Sequence, residues 1–253
     1  MRKIALITGA TAGIGLAAAE ILAENGYNLI ITGRRKELLN KLKGELGIKF
    51  KSDIHALNFD IRDRRQTEEA IDHLPKSWKN IDVLINNAGL AAGLAPIQEG
   101  SVDDWDQMVD TNIKGLLYIT RKVAPLMAER KRGHIVNISS IAAKEVYADG
   151  NVYCATKHAV DALTKGMRID LLKHNIRVTS ISPGMVDTEF SLVRFKGDKI
   201  RADKVYEGLI PLRADDVAEA IWFAVSRPAH VNINDMLIMP TAQANVTTTV
   251  RSS

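Results

Sequence analysis

The sequence predicts a doubly wound α/β domain: a seven-stranded parallel sheet with helices on both faces. Three observations carry this. Short apolar runs alternate with longer amphipathic segments along the whole chain, the pattern of strand–helix units built around a parallel sheet. The short runs are apolar throughout rather than at every second position, as strands buried on both faces are. A cluster of glycines separates the first strand from the first helix. No linker or composition shift divides the chain, so residues 1–253 read as one domain.

The elements follow in order. Lys3–Thr8 (KIALIT) is the first strand, and Ile14–Asn25 the first helix, closed by Gly26 in the manner of a C′ glycine. Asn28–Thr32 is the second strand. Lys36–Leu46 is a helix because Leu38, Leu39, Leu42 and Leu46 recur at helical spacing. Ile54–Asp60 and Arg64–Leu74 form the third strand and helix. Ile81–Asn86 is the fourth strand. Asp104–Arg130 reads as one long helix, with Pro125 as a kink point. His134–Ile138 is the fifth strand, Asn151–His174 a second long helix, and Arg177–Ser182 the sixth strand. Asp215–Arg227 is a helix whose acids lie in its first turn, where the macrodipole favours them. Asp235–Met239 is the last strand. Residues 188–212 lack a strong period and read as a lid. The polar tail 241–253 is either frayed or docked on another subunit.

Composition excludes several classes. Of 64 charged side chains, 34 are Lys or Arg and 30 are Asp or Glu. They are interspersed, whereas a nucleic-acid binder gathers its cations on one face. The densest basic cluster is only Arg34-Arg35-Lys36. No apolar run reaches the length of a membrane span, and no secretory signal is visible. Cys154 is the single cysteine, so an intrachain disulfide and a cysteine-based zinc site are both excluded. A reducing, cytoplasmic setting is expected, with no metal, membrane or nucleic-acid partner.

Between the first strand and helix lies Thr8-Gly9-Ala10-Thr11-Ala12-Gly13-Ile14-Gly15. Glycines there allow a tight turn and close backbone approach to a pyrophosphate resting on the helix N-terminus. The second strand ends in Gly33, and Arg34 and Arg35 follow. An acid at this point would bind a ribose 2′-hydroxyl, but two guanidiniums can fork onto a 2′-phosphate. Cations at a helix start oppose its dipole by a few tenths of a kcal/mol, which argues for a functional reason. The expected cofactor is NADP. Tyr153 and Lys157, at i and i+4, share a helix face. An ammonium beside a phenol favours the phenolate and lowers its pKa toward that of a working acid–base.

Thr8–Gly15, Asn86-Asn87-Ala88-Gly89, Asn112, Ser140, Tyr153 with Lys157, and Pro183-Gly184 together resemble the short-chain dehydrogenase/reductases, in the family's order and over nearly the whole chain. The resemblance implies a Rossmann fold and four catalytic residues. Tyr153 would exchange a proton with the substrate oxygen, and Lys157 would bind the nicotinamide ribose and hold the phenol's pKa down. Ser140 would hydrogen-bond the reacting oxygen, with Ser139 as a competing choice. Asn112 would support a water leading to Lys157. The implied cofactor contacts are Gly9, Thr11, Ala12, Gly13, Ile14 and Gly15 in the loop, then Arg34, Arg35, Asp60, Ile61 and Asn87, Tyr153 and Lys157 themselves, and finally Pro183, Gly184, Val186 and Thr188. Relatives pair through their two long helices, which implies a homotetramer.

Gly33-Arg34-Arg35, Val193–Asp198 and Pro228–Asn234 further resemble the NADP-dependent serine/3-hydroxy acid dehydrogenase branch. That implies hydride transfer between NADP(H) and the 3-hydroxyl carbon of a short hydroxy acid such as L-serine, 3-hydroxypropionate or 3-hydroxyisobutyrate. Arg194 and Lys196, flanking Phe195, are the candidate carboxylate ligands. The segment after Ser140, Ile141–Val146, departs from the family by lacking a glycine and carrying charge. Alternatives are a 3-oxoacyl thioester reductase and a non-catalytic NADP-sensing module.

Overall fold

The structure, a computed structural model, describes residues 2–252. Its strands are β1 (Ile4–Ile7), β2 (Asn28–Gly33), β3 (Ile54–Asn58), β4 (Ile81–Asn86), β5 (Gly133–Ile138), β6 (Ile176–Pro183), β7 (Val186–Asp187), β8 (Leu212–Arg213) and β9 (Asp235–Ile238). Its helices are α1 (Gly13–Glu24), α2 (Lys36–Phe50), α3 (Arg64–Asp72), α4 (Val102–Val109), α5 (Leu116–Glu129), α6 (Asn151–Leu171), α7 (Phe190–Arg194), α8 (Lys199–Lys204) and α9 (Ala214–Ser226). Seven strands form one parallel sheet in the order β3-β2-β1-β4-β5-β6-β9.

The central strands feed two cores. Ala5, Ile7, Leu29, Ile31, Val83 and Ile85 point to the side with α1, α2 and α9. Ile4, Leu6, Ile30 and Leu84 point to the side with α3 and α5. The pleat sends successive residues to opposite faces, so only an unbroken apolar run can supply both. The edge strands are covered less: β9 alternates exposed and half-buried residues. Among the described residues, no helix is long and apolar enough to cross a membrane.

The chain begins at the centre of the sheet, runs outward through β2 and β3, and returns to β4 beside β1. The strand order therefore reverses between β1 and β4. Ligands of such sheets bind in the crevice this leaves beyond the carboxyl ends of the strands.

Several expectations need correction. The helix expected over Asp104–Arg130 is α4 and α5 joined by a π-helical turn, Asp110–Gly115. The irregularity falls there rather than at Pro125, which α5 runs through. A π turn takes one extra residue, which period counting does not detect, and such turns often mark functional positions. α2 continues past Leu46 to Phe50 and ends at Lys51 in the left-handed region. The lid is not irregular: β7 pairs with β8 across it, and α7 and α8 lie between. Elements of five and six residues are too short to show a period.

Over its described residues, 241–252, the tail is docked on its own chain rather than frayed. Gln243 is buried and its Oε1 accepts from Met185 N at 2.8 Å. Ser252 N donates to Gly208 O at 2.8 Å, and Arg251 donates to the carbonyls of Glu207 and Val205. Val246 N donates to Glu145 of the segment after Ser140.

One core polar pair makes acid stability testable. His134 on β5 is 1% exposed and its Nε2 lies 2.7 Å from Thr179 Oγ1. Burial, with the charge of Arg177 adding, brings its pKa from 6.5 down to about 3. As pH falls through 6.5 the unfolded chain takes up a proton that the folded chain refuses until about 3. This group's contribution is therefore intact above 6.5 and drains below it, at up to about 1.4 kcal/mol per pH unit. In thermal melts across that window, His134→Gln should show a shallower fall of Tm with acid than the parent. Equal slopes would show that His134 does not govern acid sensitivity.

Candidate active site

Thr8, at the carboxyl end of β1, ties the loops together. Its Oγ1 accepts from Asn87 N at 3.0 Å and Ala88 N at 2.9 Å. Asn87 returns the contact, its Nδ2 donating to the carbonyls of Thr8 and Gly9. The glycine loop is thus pinned across the β1/β4 crevice. Gly9 and Gly13 have φ of +66° and +53°, which favours glycine. A Cβ on Gly15 would lie 2.3 Å from Gly9 O, so this position cannot bear a side chain without moving the loop. The N-terminus of α1 has no side-chain cap, which leaves its amides for an anion. These features fit a dinucleotide pyrophosphate.

Arg34 and Arg35 stand at the mouth of the same cleft. Arg35 donates twice to Thr11 Oγ1 and once to Glu189 on the lid side. Arg34 is half-exposed and 4.0 Å from Asp60. Burial works against the Asp60 carboxylate, but hydrogen bonds and charge from Arg62 hold its pKa below the usual value. Ile61 lines the cleft beside it.

Tyr153 and Lys157 occupy the first two turns of α6, and both are buried. Lys157 Nζ donates to Ile138 O at 3.0 Å and lies 5.9 Å from the centroid of the Tyr153 ring. Ser140 opens a short 3-10 turn and its Oγ accepts from Ala142 N at 3.1 Å. That turn brings Ser140 into the same cleft that Tyr153 lines. Ser139 lines the same cleft, but its Oγ is buried with no partner among the described residues.

The electrostatics differ from the expectation. Burial pushes the Tyr153 phenol well above its ordinary value, and Tyr147 adds to the shift. The opposing cation is Arg194, and nearby Ser140 also acts to lower it. Burial also brings the Lys157 ammonium down to about 8. An i,i+4 spacing reports proximity but not desolvation, and desolvation is the larger effect here.

Asn112 sits in the π turn, 2% exposed. Its Nδ2 donates to Leu90 O and Thr156 Oγ1, and its Oδ1 accepts from Leu90 N. It braces the loop after β4 against α6. A Cβ on Gly89 would come within 3.3 Å of Asn112 Oδ1 and 3.6 Å of Lys157 Nζ, so the two side chains face the same small gap.

The expected residues Gly9, Thr11, Ala12, Gly13, Ile14, Arg34, Arg35, Asp60, Ile61, Asn87, Ser140, Tyr153, Lys157, Pro183, Gly184, Val186 and Thr188 line one cleft. Gly15 and Asn112 stand behind it as supports. Lys196 is turned away, its ammonium 3.0 Å from Asp104. The sequence reading missed Phe190 and Tyr147. Phe190 stacks edge-on against Tyr153 at 5.6 Å. Tyr147, in an aperiodic loop, accepts from Arg194 Nη2 at 2.6 Å. The charged residues after Ser140 do not enter the cleft: Lys144 pairs with Asp161 and Asp235, and Glu145 holds the tail.

Fold and cleft define a dinucleotide-binding protein with a buried phenol–ammonium pair beyond the phosphate loop. Comparison with known proteins agrees. The family model for short chain dehydrogenases matches residues 3–198, and the chain belongs to that family of oxidoreductases. It is 50% identical over 242 residues to the NADP-dependent 3-hydroxy acid dehydrogenase of Salmonella typhi, covering 95% of this chain and 96% of that one. It is 46% identical over 239 residues to the serine 3-dehydrogenase of Rhizobium radiobacter, covering 94% of each chain. Among solved structures, the closed form of serine dehydrogenase complexed with NADP+ is 47% identical, with a TM-score of 0.93 over 99% of this chain and 100% of that one.

Proposed function

We propose that this enzyme transfers hydride between NADP(H) and the 3-hydroxyl carbon of a short 3-hydroxy acid of the L-serine, 3-hydroxypropionate or 3-hydroxyisobutyrate type. The similar proteins named for NADP, 3-hydroxy acids and serine support this, as does the placement of Arg194. Bound NADP supplies the hydride chemistry. The glycine loop and the α1 N-terminus hold its pyrophosphate, Arg34 and Arg35 its 2′-phosphate, and Pro183, Gly184, Val186 and Thr188 line the nicotinamide end. Lys157 binds the ribose hydroxyls. Tyr153 gives a proton to the carbonyl oxygen in reduction and removes it in oxidation, with Ser140 hydrogen-bonded to the same oxygen. Asn112 and Lys157 face a gap from which a water relays the proton outward.

The single observation that carries the acid specificity is Arg194. Its guanidinium lies 5.0 Å from the Tyr153 ring centroid, behind Phe190 and Val193, which line the cleft. Gly93 N donates to Arg194 O at 3.0 Å, fastening the lid to the loop after β4. Lys196, occupied with Asp104, is left out of the carboxylate role first expected of it. A homotetramer and a cytoplasmic location remain part of this proposal. Leu117 on α5 and Ile169 on α6 are exposed and give the long helices apolar surface for self-association.

The test is a spectrophotometric NADP+-reduction screen over short hydroxy acids and their methyl esters. Arg194→Ala should raise KM for the acids about thirtyfold, the scale of losing one partner of a desolvated charge pair, and leave KM for the esters nearly unchanged, any shift of the Tyr153 phenol showing equally in kcat for both. An equal effect on both would remove Arg194 from the carboxylate role.

A further inference from the structure

A lid arginine can serve as an anion fork only if something fixes its orientation. A long flexible side chain otherwise loses much of the benefit to entropy. Arg194 is held by three rings. Its guanidinium carbon lies 5.0 Å from the centroid of Tyr153, 5.3 Å from Phe190 and 5.8 Å from Tyr147. Only Tyr147 also gives it a hydrogen bond, its hydroxyl accepting from Nη2 at 2.6 Å. The lid's ion pairs are made by Glu189 and Lys196. Arg194 Nε is buried and has no partner among the described residues.

This combination is specific. A carboxylate at residue 147 would orient the guanidinium but also neutralise it. A neutral hydroxyl orients it and leaves the positive charge unspent. Aromatic faces stabilise a cation without supplying a counter-anion, and a buried donor left unpaired costs free energy until a ligand meets it. The loop is shaped for this ring: a Cβ on Gly150 would fall 2.1 Å from Tyr147 Cε2, so the bare backbone there makes room for it.

We propose that Tyr147 is the positioning residue of the substrate-carboxylate site, aiming Arg194 so that Nε and the guanidinium edge meet the acid of a 3-hydroxy acid. This rests on the reading of Arg194 given above and adds the residue that makes the arginine selective. Tyr147 itself does not touch the reacting atoms. It acts through Arg194, so its loss shows in KM for acids and not in the chemical step.

The experiment compares the full-length enzyme with Tyr147→Phe, Arg194→Ala and the double variant. The substrates are 3-hydroxypropionate and its methyl ester, with saturating NADP+. Tyr147→Phe keeps the ring and removes only the hydroxyl. KM for the acid should rise about tenfold, the scale of one charge-assisted hydrogen bond, with kcat within about twofold and the ester's constants unchanged. In the Arg194→Ala background the same change should add nothing, as coupled residues behave in a double-mutant cycle. An unchanged KM for the acid in Tyr147→Phe would overturn the proposal. So would equal losses on acid and ester, or additive effects in the double variant. If Arg194→Ala fails to separate acid from ester, the carboxylate reading itself fails. If it separates them and Tyr147→Phe does not, only the role of Tyr147 falls.

Discussion

Tyr153→Phe is expected to lower kcat by about 10²- to 10⁴-fold, the range contributed by a positioned general acid–base, while NADPH binding and Tm stay close to the parent. The substitution removes one hydroxyl and little else. The Phe190 ring would still meet the remaining ring edge-on. Lys157 would keep its bond to Ile138 O, so the ribose end of the cofactor site should survive. What is lost is the hydroxyl of the ring that two cations, Lys157 and Arg194, both approach. Because that proton is exchanged in the transition state, kcat and kcat/KM should fall together with KM little changed. Stopped-flow turnover beside NADPH fluorescence titration reads the two separately. Retained turnover would remove Tyr153 from the chemistry. A parallel loss of cofactor binding would mean that the hydroxyl supports the site rather than the reaction.

The sheet was legible in the sequence because its signal is redundant. Every central strand must be apolar on both faces, so β1 and β4 stand out by composition alone. The glycine loop was legible because a pyrophosphate site restricts backbone, and backbone restriction is written in residue type. Where one residue type serves two purposes, the sequence is mute. Arg194 and Lys196 are equivalent cations two positions apart, yet one turns inward onto aromatic rings and the other outward onto Asp104. Their difference comes from the α7 turn and from Lys196 adopting φ +54°, and five helical residues carry no visible period. The π turn around Asn112 was hidden for a related reason: one inserted residue leaves the amphipathic pattern nearly intact. Tyr147 and the tail were missed because their partners lie 47 and about 100 residues away, and a single sequence does not show such pairs. The burial of the phenol was not legible either, because spacing reveals neighbours while burial sets the dielectric around them.

Replacing Arg34 and Arg35 together by alanine should reduce the preference for NADP+ over NAD+ by about 10²- to 10⁴-fold, with kcat on NAD+ little altered. Each guanidinium can give a charge-assisted bond to a 2′-phosphate, worth about 1.5–3 kcal/mol, and two such losses multiply. The effect belongs to the cofactor's adenosine end, so hydride transfer at the other end should be spared. The two positions should differ. Arg35 already donates to Thr11 and Glu189, which fixes its plane and spends part of its capacity. Arg34 has only a distant, half-exposed contact with Asp60, whose stronger partner is Arg62. Arg34 is therefore the freer cation, and Arg34→Ala alone should account for the larger share. Both arginines are at the rim, so added salt should shrink the discrimination of the parent enzyme while leaving the double variant nearly flat. The ratio of kcat/KM for NADP+ and NAD+ at two ionic strengths decides it. If the double variant loses both cofactors equally, the pair is a solvated helix start whose removal loosens the whole loop, and the 2′-phosphate must be read elsewhere.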